Sequence, residues 1–176
     1  MEETRLPETL PGFDQPLALL RACHTKILAH CDLLEQLVAN LGNPGKEEEN
    51  RSAARQVMTY FTTSARLHHQ DEETDLFPLL MRQSLKLADL VHGLKQEHQE
   101  LETLWGKIVA DLKRLHDVTD HAALADRVHA FCEANRRHVR RENAEFLPRA
   151  ESSLSSRQLK DIGAAMADRR GVRYTG

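Results

Sequence analysis

Two segments of this chain carry the same apolar stripe, with a histidine at the same place in each. In the first, residues recur at steps of three and four, Leu17, Leu20, His24, Ile27, Cys31, Leu34, Val38 and Leu41, before the stop signal GNPGKEEEN. In the second the run is Val91, Leu94, His98, Leu101, Trp105, Ile108, Leu112 and Leu115, an offset of 74 residues that sets His98 on His24. Such spacing lines one face of an α-helix and does not suit a strand, whose faces alternate. A second matched pair sets the stripe Val57, Phe61, Ala65, His68, Glu72, Leu76 and Leu79 beside Val128, Phe131, Ala134, His138, Glu142 and Phe146, and at an offset of 70 residues His68 falls on His138, Glu72 on Glu142 and Pro78 on Pro148. The chain therefore reads as a duplicated helix pair.

At 176 residues there is material for one domain with a sizeable core. Eight Gly, six Pro and few aromatic residues in a chain rich in helix formers make an all-α fold the natural class. Short connections near 42–50, 82–86 and 116–122 favour antiparallel neighbours, hence an up-down-up-down four-helix bundle over residues 17–150. Residues 1–16 are expected to be an extended N-terminal segment. Within 151–176, SSRQLKDIGAAMADRRG offers a serine cap, apolar Leu159, Ile162 and Met166, and Gly171 as a stop, predicting a short fifth helix across one end of the bundle. Asn50 or Ser52 is the expected cap of the second helix. Pro78 and Pro148 are expected to kink or end their helices.

The bundle reading has a consequence for depth. His24 precedes Leu41 by 17 residues and His68 follows Arg51 by 17, so both lie roughly 25 Å from the first connection. His98 before Leu115 and His138 after His121 repeat the same count. Four inward histidines are thus predicted to meet in one layer.

Charge and hydropathy narrow the function classes. The formal net charge of -3 comes from scattered groups without a basic stripe, which argues against nucleic acid as a partner. No apolar run approaches bilayer length, so no membrane association is expected. The first sixteen residues are acidic and hold three prolines, the opposite of a secretory signal. Cys23, Cys31 and Cys132 are odd in number and form no CxxC, which suits a reducing cytoplasm. The outer faces show no long apolar stripe, so a homodimer or a protein partner is permitted without being demanded.

A histidine and a glutamate four residues apart on a helix share nearly one face, and a single such pair is ordinary. Two pairs in equivalent positions, His68 with Glu72 and His138 with Glu142, facing His24 and His98 at one depth, are hard to explain as packing. Two carboxylates buried among apolar side chains must be protonated or paired, and no lysine or arginine lies on the inner stripes. Metal cations supply the missing charge: carboxylates bridge two of them, and imidazoles fill the remaining positions. Four imidazoles and two carboxylates divide naturally between two metals. Zinc and manganese accept similar donors, so spacing alone leaves the metal open.

With His24 in CHTKI, HHQDEETDLFP, EHQEL around His98, and HVRRENAEFLP, the sequence resembles the hemerythrin-like, or HHE cation-binding, family over roughly residues 17 to 150. The resemblance implies a non-haem di-iron centre, bridged by oxo or hydroxo, that meets dioxygen, nitric oxide or peroxide, or holds exchangeable iron. It assigns Glu72 and Glu142 as bridges and His24, His68, His98 and His138 as terminal ligands. Oxygen-carrying members place a further histidine one turn before the third-helix ligand, where this chain has Leu94. That departure favours redox turnover, sensing or exchangeable iron over stable oxygen carriage.

Other residues have plainer readings. His69 and Glu73 repeat the i, i+4 spacing about 100° around the helix and remain as substitute ligands or outer partners. His30, His92, His116, His121 and His129 fall off the stripes and are expected in solvent. Asp75 and Glu145 either orient ligands or sit at helix surfaces. Tyr60 either donates toward the site or packs, Phe61 belongs to the core, and Trp105 closes the core on the opposite side. Two further functional readings stand beside the reactive centre: a non-catalytic metal-dependent sensing or interaction module, and a metal-free structural bundle with protonated glutamates.

Overall fold

A computed structural model describes residues 11–174. Among these residues the chain is helical throughout, with no strand. Four helical rods account for most of it. The first is α1 (Pro16–Ala39); the second runs through α2 (Glu47–Thr62), α3 (Ser64–Asp71), a π-helical turn (Glu72–Leu76) and α4 (Phe77–Met81). The third is α5 (Leu85–Lys113), and the fourth joins α6 (His121–Arg141), a second π-helical turn (Glu142–Phe146) and α7 (Leu147–Ser153). A shorter helix, α8 (Ser156–Arg169), follows. α1 packs on α6 and α2, and α5 packs on the same two, which closes the ring.

The stripes read from the sequence are the buried faces. α1 buries Leu17, Leu20, His24, Ile27, Cys31, Leu34, Leu37 and Val38; α5 buries Val91, Leu94, His98, Leu101, Ile108 and Leu112 along with Leu87 and Leu90. Pro16 stands in the first turn of α1, where its missing N–H has no intrahelical partner to lose. Ser84 caps α5 by accepting from the Leu87 N–H at 3.2 Å. After α1 the chain turns through Gly42 and Gly45, both at φ 81°, a left-handed conformation that favours glycine.

Several expectations at helix ends change. The second rod starts at Glu47, ahead of Asn50 and Ser52, with Glu47, Glu48 and Glu49 in the first turn where the helix dipole favours acid. Asn50 lies buried inside the helix, and its amide donates to the Asn40 carbonyl at 3.4 Å. The rod is also broken at Thr63 (φ -119°, ψ -80°), where Thr62 and Thr63 hydroxyls each donate back to the carbonyl four residues earlier. Such back-bonding bends helices. Of the expected extended segment, residues 1–10 lie outside the described residues; Gly12 to Gln15 form a turn closed by the Gln15 N–H on the Gly12 carbonyl at 3.0 Å.

The prolines act upstream of themselves. Pro78 and Pro148 each stand second in a new helical segment, and the turn before each is π-helical. Phe77 and Leu147 donate to the carbonyls of Glu72 and Glu142, five residues back. A proline in a continuous α-helix would clash with the carbonyl four residues back, and one wide turn relieves the conflict. Each π turn begins on a glutamate singled out from the sequence.

Two apolar clusters fill the interior. One gathers Ile27, Leu34, Val57, Phe61, Ile108 and Phe131; the other gathers Leu20, Leu76, Phe77, Leu94, Phe146 and Met166. The histidine layer separates them. α8 covers the second cluster with Ile162 and Met166, as its pattern predicted, capped by Ser155 in a reciprocal pair with Gln158. Gly163 lets the Phe13 carbonyl approach so closely that a Cβ there would lie 1.9 Å from the oxygen. Arg169 and Arg170 at the end of α8 both pair with Asp71, fully buried beside Glu72, and Arg169 also reaches Asp75 at 3.0 Å.

Candidate metal centre

All six residues selected from the sequence converge. His24 (α1), His68 (α3), His98 (α5), His138 (α6), Glu72 and Glu142 are each at most 5% exposed. The His24 and His68 rings meet edge to face at 4.9 Å, and those of His98 and His138 at 4.8 Å. The two carboxylates lie between these pairs. Glu72 sets Oε1 3.2 Å from His68 Nε2 and Oε2 3.3 Å from His98 Nε2. Glu142 sets Oε2 2.8 Å from His24 Nε2 and Oε1 3.2 Å from His138 Nε2. Each carboxylate therefore offers one oxygen to each histidine pair, the disposition of a bridging ligand.

These contacts are short without being aligned hydrogen bonds. All four carboxylate oxygens, His24 Nε2 and both ring nitrogens of His68 are buried with no hydrogen-bond partner. Across the other pair, His98 Nε2 and His138 Nε2 share a 3.1 Å hydrogen bond. A buried anion left unpaired costs several kcal/mol, and native interiors rarely carry so many unsatisfied groups together. The donor set suits a metal: two groups of four, His24, His68, Glu72 and Glu142, and Glu72, His98, His138 and Glu142, each hold their ligand atoms within 4.8 Å of one another. The residues present fit a dinuclear metal group.

Without a metal the carboxylates must be answered by protons on the rings. Burial pulls the pKa of His24 down, but Glu142 and Glu72 outweigh it and hold it up at about 10. For His98 burial is likewise overcome, by Glu72 and Glu73, giving about 9. His138 is held at about 10 by Glu142 and Glu97 against burial. His68 goes the other way, because burial outweighs Glu72. Burial opposes ionisation of Glu72 and Glu142 too, yet the surrounding imidazoles hold Glu72 well below its ordinary range and Glu142 down at about 2.

An outer set of groups aims the rings. His98 Nδ1 pairs with Glu73 Oε1, His138 Nδ1 with Glu97 Oε2, and His24 Nδ1 with Asn143 Oδ1, each at 2.7 Å. An Nδ1–H donated outward leaves the Nε2 lone pair facing the centre. Glu97 is itself tied to Arg141 at 2.6 Å. The sequence reading named Glu73 as an outer candidate and missed Glu97 and Asn143. Both are direct neighbours of ligand candidates, His98 and Glu142, and that adjacency is the signal that could have found them.

The plainer residues also find their places. Asp75 is an interhelical partner of Arg169, and Glu145 is exposed. Tyr60 packs: its hydroxyl donates to the Cys23 carbonyl at 3.4 Å and its ring stacks on His30 at 3.7 Å, which leaves His30 half-buried instead of in solvent. Trp105 is half-buried, with Phe61 at 5.1 Å and Phe131 at 5.4 Å. With these it walls a cleft of about 460 Å³ that reaches inward to His69 and His98 and has Arg66, Lys95 and Glu102 among its lining. His69, kept as a substitute ligand, stands at the inner end of this cleft. Burial, helped by the neighbouring His98 and His68, holds its pKa well below the ordinary value.

Comparison with known proteins agrees with this geometry. Residues 15–150 match the family model described as the hemerythrin HHE cation binding domain. The chain is 27% identical over 172 residues to an uncharacterized protein of Haemophilus influenzae, covering 95% of this chain and 96% of that protein. A stretch of 103 residues, 58% of this chain, is 32% identical to human girdin but covers 5% of it, a local likeness that carries no functional argument.

Proposed function

The chain belongs to the hemerythrin HHE cation-binding family, and from that premise we propose that it is an up-down-up-down four-helix bundle holding a dinuclear non-haem iron centre. Its ligands are His24, His68, Glu72, His98, His138 and Glu142. The centre interacts with dioxygen, nitric oxide or peroxide, or holds exchangeable iron. One observation carries the reading: two fully buried carboxylates with all four oxygens unpartnered, each divided between two histidine pairs. Among the described residues no helix is long and apolar enough to cross a membrane, and the free cysteines suit a reducing cytoplasm, where we place the protein.

Bound iron would supply one-electron chemistry and open positions for a small ligand. The protein supplies the rest. Glu73, Glu97 and Asn143 fix ring orientation and leave Nε2 lone pairs inward. The two apolar clusters keep bulk water from the layer, which strengthens every electrostatic contact within it. The cleft beside Phe61 and Trp105 gives a small molecule a route to the layer. Leu94, fully buried one turn before His98, offers hydrocarbon where an oxygen carrier has an imidazole, and this supports reaction or exchange over storage.

A second reading is favoured by a separate observation. Asp71, adjacent to Glu72, is held by Arg169 and Arg170, so a shift of Glu72 on metal or ligand binding is passed to α8, as a sensing module requires. Mixing anaerobically reduced, iron-loaded protein with dioxygen, nitric oxide or peroxide tests both readings. Turnover supports the reactive centre. A ligand-bound spectrum without turnover, accompanied by altered proteolysis of α8, supports sensing. A stable, reversible oxy-complex contradicts the preference for reaction or exchange, and no response to any of the three contradicts both readings.

A further inference from the structure

The cleft between the second rod and α5 is far larger than a diatomic molecule requires. Its volume is about 460 Å³, whereas dioxygen or nitric oxide needs little more than the roughly 30 Å³ that one water occupies in the liquid. A space of this size falls among pockets that take an organic ligand, about 300–1,000 Å³. Its apolar wall is aromatic. Phe61, Phe131 and Trp105 touch one another, with ring centroids 4.9, 5.1 and 5.4 Å apart, and Ile27 and Leu101 extend the hydrocarbon surface. Trp105 is half-buried, so part of its ring is left uncovered on the cleft side of the bundle. Flat rings meet such a wall by offset stacking or edge to face, which favours an aromatic guest.

The charges on the lining decide what else the guest carries. Four charged side chains stand there, Arg66, Glu73, Lys95 and Glu102, all exposed and therefore at the rim. Glu73 is already engaged, with Oε1 2.7 Å from His98 Nδ1. Arg136, Arg141, Arg169 and Arg170 elsewhere are each tied to acids, but among the described residues Arg66 and Lys95 have no ion-pair partner, and neither has Glu102. Two unanswered cations against one unanswered anion leave the rim positive. Glu102 follows Lys95 by seven residues on α5, roughly 10 Å along the axis, too far to neutralise it. Arg66 on α3 and Lys95 on α5 come from opposite walls, so one anionic group between them answers both. A guanidinium receives a planar carboxylate through two parallel hydrogen bonds, and an ammonium adds a point charge.

We propose that the cleft is a binding site for a small aromatic carboxylate, with its ring against Phe61 and Trp105 and its carboxylate held between Arg66 and Lys95. The inference stands on the cleft itself and does not require that the layer hold metal.

The test titrates the full chain with trans-cinnamate and with cinnamamide, its neutral counterpart, by calorimetry and by the fluorescence of Trp105, the single tryptophan of the chain. Cinnamate is expected to bind saturably, to change Trp105 emission, and to bind about tenfold more tightly than cinnamamide. Arg66→Gln is expected to weaken cinnamate about tenfold and Lys95→Gln about threefold, with cinnamamide unaffected by either. Both residues are exposed, so thermal melts of these variants should match wild type. Glu102→Gln is expected to tighten cinnamate, and Trp105→Leu, followed by heat alone, to weaken both compounds. No saturable binding, equal affinity for the two compounds, heat without a response from Trp105, or charge variants that bind as wild type does would each overturn the site. The same titrations are run with iron-loaded and iron-free chain. Protein that binds cinnamate but takes up no iron contradicts the metal reading alone, so the two failures are distinct.

Discussion

His98 and His138 each donate Nδ1–H to a carboxylate, Glu73 and Glu97, whereas in the opposite half His24 is held by the amide of Asn143 and His68 has no hydrogen bond to either nitrogen. The duplication explains how this arose. Glu73 corresponds to Asn143 at the offset of 70, and Glu97 corresponds to Cys23 at the offset of 74. In one half two carboxylates brace the rings; in the other, the equivalent positions carry a neutral amide and a thiol. The repeat set the ligands symmetrically and left the outer partners unequal. A carboxylate partner raises imidazole basicity and fixes its tautomer, so on the proposed dinuclear reading the braced half would be the stronger metal holder.

The largest way to break this comparison is to remove what the halves share. Glu142→Ala takes one oxygen from each histidine pair, and metal analysis is expected to show less than one iron per chain, not the loss of one half alone. Removing the metal should produce the next largest effect, a pH-dependent loss of stability read by thermal melts. From their ordinary 6.5, His24, His98 and His138 are raised to about 10, 9 and 10, so their contribution is full below 6.5 and fades as pH climbs through 9 to 10. His68, lowered by burial, withdraws stability as pH falls below 6.5, and Glu142, lowered from 4.5 to about 2, withdraws more below 4.5. Metal-free protein should therefore be most stable near pH 6.5. Metal binds the deprotonated rings, so loading should abolish the alkaline loss.

Outer partners offer a finer test. Glu97→Gln is expected to weaken iron binding by about 10- to 100-fold in chelator competition, with Asn143→Leu costing less because it removes only a neutral acceptor. Asn143→Asp, which puts a carboxylate on His24, should strengthen the weaker half. The smallest effect belongs to a site distant from both halves: Ser155→Ala removes the cap of α8 and should cost about 1 kcal/mol in denaturant unfolding, with iron content unchanged.

The layer was legible because its members obey the helical period. His24, His68, Glu72, His98, His138 and Glu142 lie on stripes whose other members are apolar, so burial and depth followed from counting. Glu97 and Asn143 escaped because they sit one residue off a stripe, about 100° around the helix, where contact depends on how neighbouring helices are rotated. Residue spacing within one helix does not carry that rotation. His69, kept as a substitute ligand or outer partner, could not be placed more closely for the same reason, since its stacking on His98 crosses between rods. The π turns were half legible: Pro78 and Pro148 announced a disturbance, but its displacement upstream onto Glu72 and Glu142 depends on how the backbone spreads the strain. The start of α2 was misplaced because three glutamates favour the first turn without capping it, while Asn50, a residue typical of caps, bonds back to Asn40.

The central claim is that the two unpartnered carboxylates exist to hold metal. Iron content of protein purified without oxygen, with absorption recorded before and after azide, tests it most directly. The account predicts two irons per chain and a spectrum that azide alters; a metal-free chain whose thermal stability does not change on adding iron would contradict it.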